Sequence, residues 1–117
     1  MTAATNDRWP SLLQERSAYI NNVKVVAVAT QIQIVARGLD DLTGLYDKAA
    51  GLPADGATAL AAAAEQRDEL IRRLEQKGRA FLRLARKTPD HAQADQLLSL
   101  SVIFGGEAER LLLDEAA

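Results

Sequence analysis

The chain has 117 residues, with 14 Lys and Arg against 16 Asp and Glu, one histidine and no cysteine. That length suits one domain, 1–117, able to bury roughly two-thirds of the surface its unfolded form exposes. The missing cysteine excludes structural disulfides, thiolate metal sites and thiol nucleophiles, and a net charge of −2 disfavours nucleic acid as a general partner.

Residues 1–8 read as a polar tail without the apolar core of a signal peptide. Asn6 or Asp7 is placed to cap a helix whose first turn holds Pro10. Trp9, beside that proline, either staples the helix start or anchors a partner. A first helix is expected over residues 9–50, some 60 Å long at ~1.5 Å per residue.

Its centre, Val23 to Val35, is the most apolar run in the chain. The Val, Ile and Thr content and the alternation in Gln31-Ile32-Gln33-Ile34 suit a strand. Val25, Val28, Ile32, Val35, Leu39, Leu42 and Tyr46 recur at spacings of three and four, which is a helical seam. No second strand candidate lies nearby to pair with a strand here, so helix is the reading adopted.

On a helical wheel Leu12, Leu13, Tyr19, Ile20, Val23, Val26 and Ala27 point one way. Val25, Val28, Ile32, Val35, Leu39 and Leu42 point nearly opposite, so the apolar face changes side halfway along. An outer helix of a monomeric bundle needs one apolar stripe. The surplus stripe is therefore expected to meet a second copy, with a homodimer favoured, or a protein partner. The candidate partner-binding residues are Leu13, Tyr19, Ile20, Val26, Ala27 and Ile34. Gly38 and Gly44, each costing about 1 kcal/mol relative to alanine inside a helix, mark either a kink or two tolerated glycines.

Gly51-Leu52-Pro53-Ala54-Asp55-Gly56 stops the first helix, and Asp55 is placed to cap the next, expected over 57–87. It opens with small residues, Ala59 to Ala64, suited to close helix contact. Its seam runs through Leu60, Ala64, Arg67, Ile71, Leu74, Gly78, Phe81 and Ala85, with Gly78 expected to face a bulky residue of the first helix. Between Arg67 and Lys87 stand eight cations and three acids, a local +5 that leaves −7 for the remainder. Arg72, Arg79, Arg83 and Arg86 share one face and form the candidate site for an acidic partner or a phosphate backbone. The same charges also complement the helix macrodipole and form i,i+4 pairs from Asp68 to Arg72, Glu69 to Arg73 and Glu75 to Arg79.

Thr88-Pro89-Asp90 separates the second helix from a third over 89–116, with Thr88 as the expected cap. Gly105-Gly106 is expected to break that helix, since two adjacent glycines cost roughly 2 kcal/mol. His91 reads as a solvated helix start, and Asp40, Asp41 and Asp47 as a wet helix face. No catalytic residue, metal site or cofactor is expected. The longest uncharged stretch is about 12 residues, short of the ~20 that span a bilayer, so a cytoplasmic protein without a membrane span is expected.

The sequence thus predicts an all-α, antiparallel bundle of three long helices. The leading functional expectation is a non-enzymatic assembly or adaptor subunit that self-associates or binds a protein partner through the apolar surface of the first helix. The alternative is a nucleic-acid-associated helical protein using the basic ridge of the second.

Overall fold

The computed structural model describes the backbone of residues 2–50 and 56–116, and the side chains of residues 11–49 and 65–113. All regular structure there is helical: α1 (Thr2–Ala29), α2 (Gln33–Ala50), α3 (Gly56–Lys87) and α4 (His91–Ala116). The strand alternative for Val23 to Val35 is not adopted. The Trp9 side chain, the connection 51–55, and the side chains of Leu60 and Ala59 to Ala64 lie outside the described residues.

Several expectations need correction. The described residues form four helices instead of three, because the expected first helix is cut at Thr30-Gln31-Ile32 and not at Gly38 or Gly44. Its first piece begins at Thr2, within the stretch read as a polar tail, so Asn6 and Asp7 lie inside the helix and do not cap it. The last helix runs unbroken through Gly105-Gly106.

The cut at residue 31 follows from the two apolar stripes. A straight helix would hold them on opposite sides, where one set of neighbours covers only one. Breaking the helix lets each half turn its own stripe inward. Leu13, Ile20 and Ala27 of α1 then share a core with Val35, Leu39, Leu42 and Tyr46 of α2. Fully burying a Leu or Ile stabilises by about 1.5–3 kcal/mol, so this gain outweighs the strain of the turn.

The turn has the Schellman pattern. Gln31 N–H donates to Val28 O (3.1 Å) and Ile32 N–H to Ala27 O (3.0 Å). Gln31 takes the left-handed conformation, φ 62°, that glycine normally fills. On the far side α2 has no Ser, Asp or Asn at its own cap position. Gln96 Oε1 of α4 accepts the free N–H groups of Ile34 (3.0 Å) and Val35 (3.4 Å) instead.

Side-chain pairs fix the directions of the helices. Ser17 Oγ donates to Asp47 Oδ1 (2.8 Å) and Lys24 Nζ to Asp40 Oδ1 (2.6 Å), seven residues forward in α1 matching seven back in α2. These two helices are antiparallel. Ile34 with Gln96, Gly38 with Leu100 and Tyr46 with Glu107 advance together, so α2 and α4 run parallel. Between α3 and α4, Ser101 Oγ donates to Gly78 O (2.7 Å), and the Phe81 and Phe104 rings lie 5.2 Å apart.

Gly78 is a close-approach position, but against the α4 backbone and not the first helix. A Cβ there would come within 3.3 Å of Ser101 O. Gly38 is the hole for a bulky side chain, since an added Cβ would fall 2.3 Å from Leu100 Cδ2. The α4 cap is also corrected: Asp90 Oδ1 accepts the N–H of Gln93 (2.9 Å), while Thr88 Oγ1 donates back to Leu84 O (2.7 Å) at the end of α3. Asp90 directly precedes the first helical residue, so its side chain reaches the N–H of the third, as cap geometry requires.

Candidate functional site

Glu107 is the chemically richest position, and its sequence setting conceals it. It follows Leu100 and Phe104 and precedes Leu111 at spacings of four, three and four, placing a carboxylate on the buried stripe of α4. Its Oε1 accepts from Arg16 Nε (2.9 Å) and from the Tyr46 hydroxyl (2.8 Å), and its Oε2 accepts from Arg16 Nη2 (2.6 Å). The Arg16 fork is thus bidentate, the strong geometry for a guanidinium and a carboxylate. Arg16 also lies over the Tyr19 ring, 4.6 Å from its centroid. The hydrogen bond to Glu107 raises the Arg16 pKa, against an opposing effect of burial. Burial first, then the Glu107 charge, raises the Tyr46 hydroxyl well above its ordinary range.

This arrangement clamps α1, α2 and α4 together. Both Glu107 oxygens are already engaged, and Tyr46 is fully buried, so the cluster is built to stay as it is. His91 opens α4, about 24 Å along the helix axis from Glu107 at 1.5 Å per residue. Ser17, a buried hydroxyl, donates to Asp47 with no imidazole beside it. Of the other carboxylates singled out, Asp40 holds Lys24 and Asp41 is exposed. An open cleft of about 630 Å³ beside the clamp is lined by Leu12, Glu15, Arg16, Gly106, Glu109, Arg110 and Leu113. No group of three or more His, Asp or Glu among the described residues stands close enough to hold a metal ion.

The six expected partner-binding residues divide. Leu13, Ile20 and Ala27 are buried in the chain's own core, and Ile34 packs partly buried against it. Those four leave the candidate surface, because the broken helix covers them without a partner. Tyr19 and Val26 remain exposed, Val26 at 60%. Val25 (66%), Val28 and Ile32 join them at the α1–α2 turn. The seam from Val25 to Tyr46 keeps one face for its second half only, since the turn at Thr30-Gln31-Ile32 separates Val25 and Val28 from Val35 onward.

All four ridge arginines are exposed on α3. Glu69 bonds both Arg72 and Arg73 (3.0 Å each), and its pKa is lowered chiefly by the Arg73 hydrogen bond. Arg79 lies 3.9 Å from Glu75. Arg83 and Arg86 have no acidic partner among the described residues. Arg67, on the seam of the same helix, is buried.

Comparison with family models, curated proteins and solved structures finds no match. No helix among the described residues is long and apolar enough to cross a membrane. Functional inference therefore rests on surface chemistry: an apolar end formed by α1 and its turn, and a basic end on α3.

Proposed function

We propose that this chain is a non-enzymatic helical assembly or adaptor subunit that docks a protein partner, or a further copy, through the exposed apolar end of α1. The observation that carries the reading is the exposure of Val25, Val26, Val28 and Ile32, each more than a third open to water within residues 25–32 at the end of α1 and its turn, with Val26 on the opposite side of the helix from Val25 and Val28. Single exposed apolar side chains are ordinary, but four of them within eight residues, circling a helix end, suit insertion of that end into a partner. Tyr19, two turns before Val26 on the same side of α1, is also exposed, and tyrosine is enriched at binding hot spots.

The test compares the native chain with Val26→Glu, Val28→Glu in cells that express it, followed by sedimentation of the purified complexes. Both side chains face water, so the variant keeps its helical circular dichroism and loses the bound partner. A native chain that holds no partner, and whose mass is the same with and without the two substitutions, defeats the proposal.

The basic end of α3 supports a second reading, a nucleic-acid-associated helical protein. Its specific support is that Arg83 and Arg86 carry no acidic partner among the described residues. Steeply salt-dependent DNA or RNA binding, lost in Arg79→Glu, Arg83→Glu, is the expected signature. Absence of binding at low salt ends this reading.

A further inference from the structure

Nothing in the residues of the α1–α2 turn opposes a helix. Thr30, Gln31 and Ile32 include no glycine or proline, and Gln31 is the one non-glycine among the described residues with a positive φ, 62°. A side chain in that left-handed conformation is disfavoured relative to the same residue in a right-handed helix. Helical hydrogen bonds run up to Thr30 N–H, which donates to Val26 O (2.9 Å), and resume at Ala36 N–H, which donates to Ile32 O (3.0 Å). Straightening α1 and α2 into one helix therefore changes partners only for the N–H groups of residues 31 to 35.

The contacts of α1 can be made again on a second copy. In the hairpin Ser17 meets Asp47 and Lys24 meets Asp40, and both pairs have residue 32 as their midpoint. Two straightened helices set antiparallel in that register have their two-fold axis at Ile32, inside the turn. They cross there, so the second chain covers α1 on one side and α2 on the other. Each α1 then lies on α2 of the other copy, and Arg16 of one copy grips Glu107 of the other. A lone chain makes these contacts only in the hairpin.

The register also accounts for apolar residues that the hairpin leaves wet. Val25, Val28 and Ile32 face water, although they continue the spacing of three and four that runs through Val35, Leu39 and Leu42. Straightening joins them to that stripe. Val28 and Ile32 come next to the axis, where those of the two copies cover each other.

We infer that the α1 end docks on a second copy of this chain by exchange: the hinge at residues 30–32 straightens and two chains trade α1. The inference rests on the reading of that end as a docking surface, and it names the partner and the mode. A short hinge held in an unfavourable conformation invites exchange, because the traded contacts are the same in both forms. Loss of the left-handed residue favours the straight form about tenfold per chain. At low concentration the hairpin prevails, since association costs freedom of motion that one chain alone keeps.

The chain has no cysteine, so Lys24→Cys, Asp40→Cys, an exposed pair, reports the connectivity through a short bis-maleimide. The full chain is refolded from urea at micromolar and at submillimolar concentration, and its monomer and dimer are separated by size. The dimer fraction should rise with concentration and link between chains, while the monomer links within one chain. Gln31→Gly, at ease in the turn and poor in a helix, should weaken dimerisation about a hundredfold, because both chains change. A native chain that stays monomeric at the higher concentration, a dimer that links only within each chain, or a dimer that Gln31→Gly leaves as tight would each overturn the exchange. A different protein lost from Val26→Glu, Val28→Glu, with links only within single chains, refutes the exchange and leaves the docking reading standing, so the two failures are distinguishable.

Discussion

Replacing Glu107 by alanine tests whether the buried clamp holds three helices together. The carboxylate receives both arms of Arg16 and the hydroxyl of Tyr46, which is fully buried. The Arg16 side chain is itself only 14% exposed, so water screens it little. Removing one member of such a pair costs about 3–5 kcal/mol, because the remaining charge is left without its partner. An unsatisfied buried hydroxyl costs about 1–3 kcal/mol. The two overlap, since one carboxylate serves both donors, so the expected total is about 4 kcal/mol. Against the 5–15 kcal/mol of a typical domain that is a substantial share. In urea titrations followed by circular dichroism the midpoint should fall by about 2 M with an unchanged slope, taking a slope of about 2 kcal/mol/M. The variant Arg16→Met, Glu107→Leu, Tyr46→Phe removes all the polar groups together and should recover most of the loss. A Glu107→Ala protein within about 1 kcal/mol of native, or a triple variant no better than the single, would refute the reasoning.

The remaining predictions concern single positions. Tyr46 has its folded pKa raised by burial and by Glu107, so its stabilising contribution is complete below pH 10 and is lost as the unfolded tyrosine ionises above it. Urea midpoints measured from pH 9 to 12 should show a decline of about 1.4 kcal/mol per pH unit from this group, and Tyr46→Phe should remove that part of the slope. Gln31→Gly relieves the left-handed backbone at φ 62° and should raise stability by about 1 kcal/mol in thermal unfolding. Gln96→Ala removes the acceptor for Ile34 and Val35 N–H. It should cost about 1 kcal/mol and speed amide exchange at those two residues first. Gly38→Ala must displace Leu100 and should destabilise by about 1–3 kcal/mol. Gly44→Ala, with open space around it, should stabilise by up to about 1 kcal/mol.

The helical character of the chain was legible because spacings of three and four run through long stretches, and buried residues fall on them. Ile71, Leu74 and Ala85 in α3, and Leu97, Phe104, Ala108 and Leu111 in α4, are examples. The turn at residue 31 was not legible. It contains no glycine or proline, and its two closing hydrogen bonds are made by backbone groups whatever their side chains. The trace it left in sequence was the switch of the apolar stripe from one side to the other. That switch admits two physical solutions, a second chain or a break, and local propensity does not choose between them. Long-range packing does, because only the break brings Ile20 and Leu39 into one core. The Glu107 clamp was hidden for a related reason. Glu107 lies on the buried stripe, but its partners are 91 residues away at Arg16 and 61 away at Tyr46.

The glycines show the same limit from another direction. In sequence, each of Gly38, Gly78, Gly105 and Gly106 interrupts a helical pattern at similar expense, and the neighbour it meets is not written there. Sequence reasoning therefore expects a break at Gly105-Gly106, a close approach at Gly78, and either a kink or a tolerated glycine at Gly38. Every one of them sits inside an intact helix. What separates them is the neighbour each one admits: a leucine at Gly38, a backbone at Gly78, and open solvent at the last two. The helix tolerates Gly105-Gly106 because the Phe104, Glu107, Ala108 and Leu111 contacts on its other face hold it, so tertiary packing overrides the local propensity to break. The exposed face of α4 then continues through Gly105 and Gly106 without side chains at those two positions.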